Sequence, residues 1–256
     1  KVEEQKKDIT DSIRYAENIQ KALLPAEEDL SLLPEGFVLF QPKDIVSGDF
    51  YWMQHHKDKV YFAACDCTGH GVPGAFMSMI STSLLNEIII ENTITQVDKV
   101  LENLRSQMIK ALNQNKESSE AMDGLDMTLL LMDKKKKTIQ FASAGHTLYI
   151  ARNGTVLENK GDPYPVGFFF GREKPFSIKE IALEKGDMLY MTSDGFTEQF
   201  GGKEDKMFGY AKFKKLISDS KDQPMKAQKE AFYRSFKNWR GAGRQIDDIC
   251  VMGVRV

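Results

Sequence analysis

Four acidic positions, far apart in the chain, share one kind of setting. Asp49 follows the turn Val46-Ser47-Gly48, and Asp66 ends the apolar run Val60–Cys65. Asp194 ends Met188–Ser193, and the pair Asp247-Asp248 immediately precedes Ile249–Val254. A carboxylate at the mouth of a buried strand, with glycine nearby so that the backbone can approach, is how oxygen ligands are gathered around a hard divalent cation. Four such carboxylates could build a two-metal centre, with ions about 4 Å apart and one carboxylate bridging them. Acidic residues also end strands and turns without any such role, so the weight rests on what surrounds each one.

Around Asp66 the chain reads CDCTGHGVPGA, from Cys65 to Ala75. Gly69, Gly71 and Gly74 have the G-x-G-x-x-G spacing of a dinucleotide-binding turn. That fingerprint needs a parallel strand after the helix, with an acidic end about 20 residues on. Here a second helix follows, Glu91 falls at a helix end, and Pro73 occupies the loop-to-helix junction. The nucleotide reading is set aside. Cys65 and Cys67 flank Asp66, but residues i and i+2 of a strand point the same way and Asp66 points opposite. No second Cys/His pair completes a zinc site, so both cysteines read as small buried hydrophobes. P-loop, G-x-S-x-G and H-E-x-x-H strings are absent.

The elements that must position these residues are legible from periodicity. Phe37–Gln41, Phe50–Trp52 and Val60–Cys65 read as strands, with His55–Lys59 a polar turn that leaves His55 and His56 facing solvent. Val72–Glu91 and Gln96–Asn115 read as successive helices, the first with Pro73 in its first turn. Met127–Met132, Thr138–Ser143 and Thr147–Ala151 are strands, and Asn153-Gly154 is a hairpin signal. Ile178–Leu183 is expected to pair with Met188–Thr192 across Glu184–Asp187. Helices over 209–219 and 223–240 and a strand over Ile249–Val256 close the chain. Strands grouped with hairpins, and helices grouped in pairs, imply one α+β domain of antiparallel sheets covered by helices.

Residues 1–24 differ from the rest. They are rich in Lys, Glu and Gln, with Val2, Ile9, Ala16 and Leu23 at seven-residue spacing, Ile19 on the adjoining row, and Pro25 as a stop. The stripe suits either a dimer seam or a helix lying on its own domain. The whole chain has 256 residues, 41% of them hydrophobic, and 35 basic against 37 acidic side chains leave a charge of −2. That composition excludes disorder and gives no electrostatic footprint for nucleic acid. No apolar run approaches the roughly 20 residues of a membrane span. Three cysteines make no disulfide framework and favour a cytoplasmic location. The charged start without Met reads as a piece of a longer protein.

Five strings occur in order: VSGDFYW (Val46–Trp52), CDCTGHGVPGAF (Cys65–Phe76), AGH (Ala144–His146), TSDGFTE (Thr192–Glu198) and DDIC (Asp247–Cys250). Together they closely resemble the SpoIIE-like branch of the metal-dependent protein serine/threonine phosphatases, relatives of the type 2C enzymes, over about Leu24 to Val256. The segment from Asp11 to Gln20 and on through Pro25 resembles the linker helix that joins such domains to upstream sensor modules. It divides the chain into a helical lead, 1–24, and a phosphatase domain, 25–256.

The resemblance implies two stacked antiparallel sheets between pairs of helices. It implies two Mn²⁺ or Mg²⁺ ions bridged by Asp66, one held by Asp49 and the Cys67 carbonyl, the other by Asp194 and Asp247, with Asp248 orienting the site. The implied reaction is attack on phosphoserine or phosphothreonine by a hydroxide held between the ions, without a covalent phosphoenzyme. His70 either protonates the leaving seryl oxygen or caps its turn. The implied substrate is a phosphorylated anti-anti-sigma-type regulator in bacterial partner switching, with an upstream sensor and a homodimer through the first helix as further partners. The alternative is a phosphoprotein-binding module of the same fold that has lost turnover. The chain departs from relatives in two places. The phosphate-gripping arginine of type 2C enzymes is missing, with Lys43 the nearest cation, and AGH is followed by Thr147-Leu148 rather than prolines. Asp123 and Asp126 lie near the spacing of a third, weaker ligand.

Overall fold

The computed structural model describes residues 1–26, 33, 35–56, 59–114, 123–169 and 174–256. The chain runs through α1 (Val2–Leu23), β1 (Glu35–Gln41), β2 (Phe50–His56), β3 (Lys59–Cys67) and α2 (Gly71–Asn86), which continues as a π-helical turn over Glu87–Glu91. Next come α3 (Val97–Ala111), β4 (Gly124–Asp133), β5 (Thr138–Ala144), β6 (Thr147–Arg152), β7 (Thr155–Lys160), β8 (Val166–Gly167) and β9 (Lys179–Ala182). The last third holds β10 (Met188–Thr192), α4 (Asp194–Glu198), β11 (Phe200–Gly201), β12 (Lys206–Met207), α5 (Tyr210–Ser220), α6 (Met225–Arg240) and β13 (Ile249–Arg255).

Two large antiparallel sheets result, and β11 and β12 pair as a separate two-stranded ribbon. One has the order β1-β13-β10-β6-β7; the other is β2-β3-β4-β5-β9, with β8 also paired to β4. Strand alternation sorts the side chains into separate cores. Along β3, Tyr61, Ala63, Cys65 and Cys67 join the core under α2 and α3, whereas Val60, Phe62 and Ala64 join the core between the sheets. Along β13, Cys250, Met252 and Val254 face between the sheets while Ile249 and Val251 pack with Phe213, Phe232 and Phe236 of α5 and α6. Four layers, helix, sheet, sheet and helix, follow directly. Asp66 has the parity of Phe62 and Ala64, so it ends the inter-sheet core, and both flanking cysteines are buried on the helix side as expected.

The Asn153-Gly154 turn carries φ of 49° and 79°, the two positive values a type I′ hairpin requires, and joins β6 to β7. The expected hairpin between 178–183 and 188–192 does not form. β9 pairs with β5 in one sheet, and β10 lies between β13 and β6 in the other. All five residues of β10 are buried, so this strand needs partners on both edges; β9 is mostly exposed and serves as an edge. The β2/β3 hairpin runs further than expected, pairing His55 with Val60 and His56 with Lys59, and residues 57–58 fall outside the described set. The second helix of the first pair ends at Ala111, and residue 115 lies outside the described residues.

Gly71–Glu91 has a mean hydropathy of 1.2 and is, by length and composition alone, apolar enough to cross a membrane. Half of it is buried, with Leu85, Ile88 and Ile89 in the core beneath it. It is the covering helix of one sheet. In α1, Val2 and Ile9 are 79% and 62% exposed, while Gln20 is the buried residue. The helix is anchored by a polar plug: Gln20 accepts from Ser47 N–H at 3.0 Å and donates to the Ser47 carbonyl at 2.6 Å and Ser78 Oγ at 2.8 Å.

Candidate metal centre

The strand ends meet at one end of the inter-sheet core. Asp49 is carried by the loop before β2, Asp66 by the end of β3, Asp194 by the first residue of α4 and Asp247 by the approach to β13. Glycines let these backbones touch. A Cβ on Gly48 would stand 2.3 Å from the Gly69 carbonyl oxygen, and one on Gly74 only 2.1 Å from the same atom. Gly69 and Gly74 of the dinucleotide look-alike therefore serve packing of the Asp49 loop on the Asp66 turn. A Cβ on Gly195 would lie 2.0 Å from the Asp248 carbonyl oxygen, so α4 can start against the Asp247-Asp248 pair only with glycine there.

Asp248 accepts from the backbone N–H groups of Lys43 and Gly48, both at 2.7 Å, and so fixes the loop that carries Asp49. Lys43 thus reaches the site through its backbone. Asp49 is 2% exposed and its Oδ2 has no hydrogen-bond partner. Burial, then the charge of Asp66, pushes its carboxyl well above the usual range. Asp66 is raised by burial, then by Asp194, against the opposing effect of the Asp194 N–H at 3.4 Å. Burial, then Glu198 and Asp247, pushes Asp194 up to about 6. Carboxylates that desolvate and repel one another in this way are poised to accept cations. Among the described residues they have not closed into a ligand cluster of three or more. The all-oxygen donor set and the orphaned Asp49 Oδ2 fit hard divalent ions. The Cys67 thiol is buried and its pKa pushed up by burial, so only its carbonyl is available to such an ion.

His70 is the N-cap residue of α2, yet its side chain makes no capping hydrogen bond; Nδ1 instead meets Asp44 Oδ2 at 2.9 Å, about half exposed. His146, quoted only within the AGH string, and Asp126, named only near the spacing of a third ligand, are given a place at the site by the structure. His146 Nε2 stands 4.0 Å from Asp66 Oδ2, its Nδ1 is buried without a partner, and burial lowers its pKa to about 4. Asp126 is the direct cross-strand partner of Asp66, raised to about 6 by burial and then by Asp194. The AGH string was the available signal for His146; the β3/β4 register, invisible in the sequence, was needed for Asp126. A cavity of about 190 Å³ opens here, lined by Asp126, His146, Tyr149, Asp194, Glu198 and Tyr210 among others. A larger apolar cavity, about 320 Å³ around Leu183 and Val256, holds none of the candidate ligands.

The profile of the family described as "Stage II sporulation protein E (SpoIIE)" matches residues 56–256. The chain is 29% identical over 201 residues to phosphoserine phosphatase RsbU of Bacillus subtilis (strain 168), covering 75% of this chain and 55% of that protein. It thus spans about half the length of this curated relative. Among solved structures, the SiaA-PP2C domain of Pseudomonas aeruginosa is similar with a TM-score of 0.89 and 31% identity, 98% of each chain being covered. The PP2C phosphatase domain and regulatory-domain fragment of SpoIIE from Bacillus subtilis gives a TM-score of 0.69 at 22% identity, covering 86% of this chain and 61% of that one, a likeness of fold.

Proposed function

The chain belongs to the SpoIIE family as a PP2C-like serine phosphatase domain, and from that premise we propose that it hydrolyses phosphoserine or phosphothreonine on a protein with the help of two Mn²⁺ or Mg²⁺ ions. The observation that carries the reading is the gathering of Asp49, Asp66, Asp194 and Asp247 at one mouth, with Asp49 buried and half unpartnered. When bound, two such ions supply an activated water near neutral pH and neutralise charge building on the phosphoryl oxygens.

Asp66, central among the carboxylates, would be the ligand shared by both ions. Asp49 with the Cys67 carbonyl would hold one ion, Asp194 with Asp247 the other. Asp248 keeps the Asp49 loop in place through its two backbone hydrogen bonds. Asp44 holds Nδ1 of His70, leaving Nε2 to deliver a proton to the departing seryl oxygen. The substrate we favour is the anti-anti-sigma-type phosphoprotein that the motif resemblance implies, and the likeness to a phosphoserine phosphatase, RsbU, supports phosphoserine as the group removed. The exposed Val2 and Ile9 support a helical lead, 1–24, that pairs with a second copy and links an upstream sensor to the domain, 25–256. Three free, buried cysteines suit a cytoplasmic setting.

The test is Mn²⁺-stimulated hydrolysis of p-nitrophenyl phosphate and of a phosphoserine peptide. Turnover that needs the metal and is lost in Asp66→Asn supports the reading. Peptide binding without any metal-stimulated turnover favours the binding-module alternative.

A further inference from the structure

Gln199, 1% exposed, ties several segments together just beyond α4. Its Oε1 accepts from Ile246 N–H at 3.2 Å, and its Nε2 donates to the carbonyls of Phe200 at 2.9 Å and Arg244 at 3.0 Å. Its own carbonyl accepts from Phe208 N–H at 2.9 Å and Trp239 Nε1 at 3.1 Å. Gln199 therefore locks the β11/β12 hairpin, the end of α6 and the approach to β13 into one rim. That rim is bracketed by candidate ligands: Asp194 opens the short helix that ends at Glu198, and Asp247 follows Ile246.

Four large apolar side chains on this rim are open to solvent: Phe200 at 42%, Met207 at 46%, Tyr210 at 54% and Ile246 at 37%. Phe200 and Met207 are directly opposed across β11 and β12. Tyr210 also lines the cavity that holds Asp194 and Glu198. Single exposed apolar residues are ordinary on any surface. Here Phe200 and Ile246 are tied to Gln199 through their backbones, Met207 is opposed to Phe200, and Tyr210 lines the polar cleft itself, and grouped exposed apolar surface marks interaction sites.

We propose that this rim is where the phosphoprotein substrate docks, receiving apolar side chains that flank its phosphoserine; the proposal rests on the phosphatase reading above. A seryl side chain is short. When its phosphate reaches Asp66 and Asp194, the substrate backbone must lie at the mouth of the centre. The neighbouring residues then fall on whatever borders that mouth, and on this side the border is apolar. Cations held at the carboxylates would take the phosphate while the rim discriminates among the proteins that carry one.

The test uses two phosphoserine peptides of equal charge, one with Leu and Phe beside the phosphoserine and one with Ser and Gly at those places. Their kcat/KM values with Mn²⁺ are compared, and their binding to the Asp66→Asn chain is followed by fluorescence anisotropy. The wild-type chain is expected to favour the apolar peptide about tenfold, the scale of burying one or two partly exposed side chains. The double variant Phe200→Ser/Met207→Ser should bring that ratio to about one, whereas Leu157→Ser, equally exposed on β7, should leave it unchanged. Equal handling of the two peptides by the wild-type chain overturns the proposal, and so does a ratio that survives the double variant. A wild-type dimer in sedimentation that the double variant splits also overturns it, in favour of a second copy on the rim. Failure of p-nitrophenyl phosphate hydrolysis with selective peptide binding intact sinks the phosphatase reading and leaves the rim standing.

Discussion

Two aspartates, at opposite ends of the same inter-sheet core, are each 2% exposed: Asp49 and Asp187. Asp187 accepts from Arg152 Nε at 2.9 Å, Arg152 Nη2 at 2.5 Å and Glu184 N–H at 2.8 Å. That is a guanidinium fork on a carboxylate with a backbone N–H as third donor, the arrangement that makes a buried charge tolerable. Asp49 has an oxygen with no partner and faces Asp66, Asp248 and Asp194 instead of a cation. Burial is equal and the neighbours are opposite in sign. The difference separates two kinds of buried carboxylate: the first is satisfied by the chain itself, the second is surrounded by like charges that the proposed ions would neutralise. Asp248, holding Lys43 and Gly48 by their backbone N–H groups, stands between the two.

Breaking the unsatisfied end should cost function. Asp66→Asn removes the charge that the two proposed ions would share, and Mn²⁺-dependent hydrolysis should fall at least ~10²-fold with the fold intact. Near-normal turnover at saturating Mn²⁺ would remove the distinction between the two ends. Breaking the satisfied end should cost stability. Arg152→Met strands the Asp187 charge and should lower the unfolding free energy by roughly 2–3 kcal/mol, below the ~3–5 kcal/mol of a fully buried pair because Arg152 is one-fifth exposed. Denaturant unfolding measures it, and turnover per folded molecule should barely change. A large loss of turnover with unchanged stability would reverse the assignment of roles.

The intermediate case should behave as one. Asp248→Asn weakens the hold on the Asp49 loop and should raise the Mn²⁺ concentration needed for half-maximal activity by about tenfold, with a smaller change in kcat. An effect on kcat alone would place Asp248 among the reacting groups. The smallest effect is a pH slope. Asp194 at about 6, together with the raised Asp49 and Asp66, binds protons more tightly folded than unfolded. The contribution of Asp194 to stability is fully present below the ordinary carboxylate pKa and is lost as pH rises through about 6, and Asp49 and Asp66, raised further by burial, act in the same direction. Metal-free protein should therefore melt on the order of a few degrees higher at pH 5.5 than at pH 7.5, and saturating Mn²⁺ should flatten or invert the slope. A metal-free melting point that rises with pH contradicts the repulsion.

Much of this was legible in the chain. Asp66 and Asp194 stand where strongly apolar strand patterns stop, and strand length is a local property written in hydrophobic runs. The Asn153-Gly154 turn was readable because only a few residue types tolerate two positive φ angles. The resemblance in five ordered strings named the family before any coordinate did.

The rest was not local. Sequence proximity suggested that 178–183 and 188–192 pair, but a completely buried strand demanded partners on both edges, and those came from β6 and β13 across the fold. The stripe of α1 pointed to Leu23, whereas contact with the domain runs through Gln20, because Ser47 and Ser78, brought together by the α2 packing, offer it three hydrogen bonds. The sequence flagged His146 in the AGH string and Asp126 near a third-ligand spacing, but their position beside Asp66 came from the β5/β6 turn and the β3/β4 register. By itself the sequence determined which residues end strands and which turns must bend. Which of those ends meet, and whether a buried carboxylate finds an arginine or another carboxylate, was decided only by the tertiary structure, because charge interactions depend on distance in space and not along the chain.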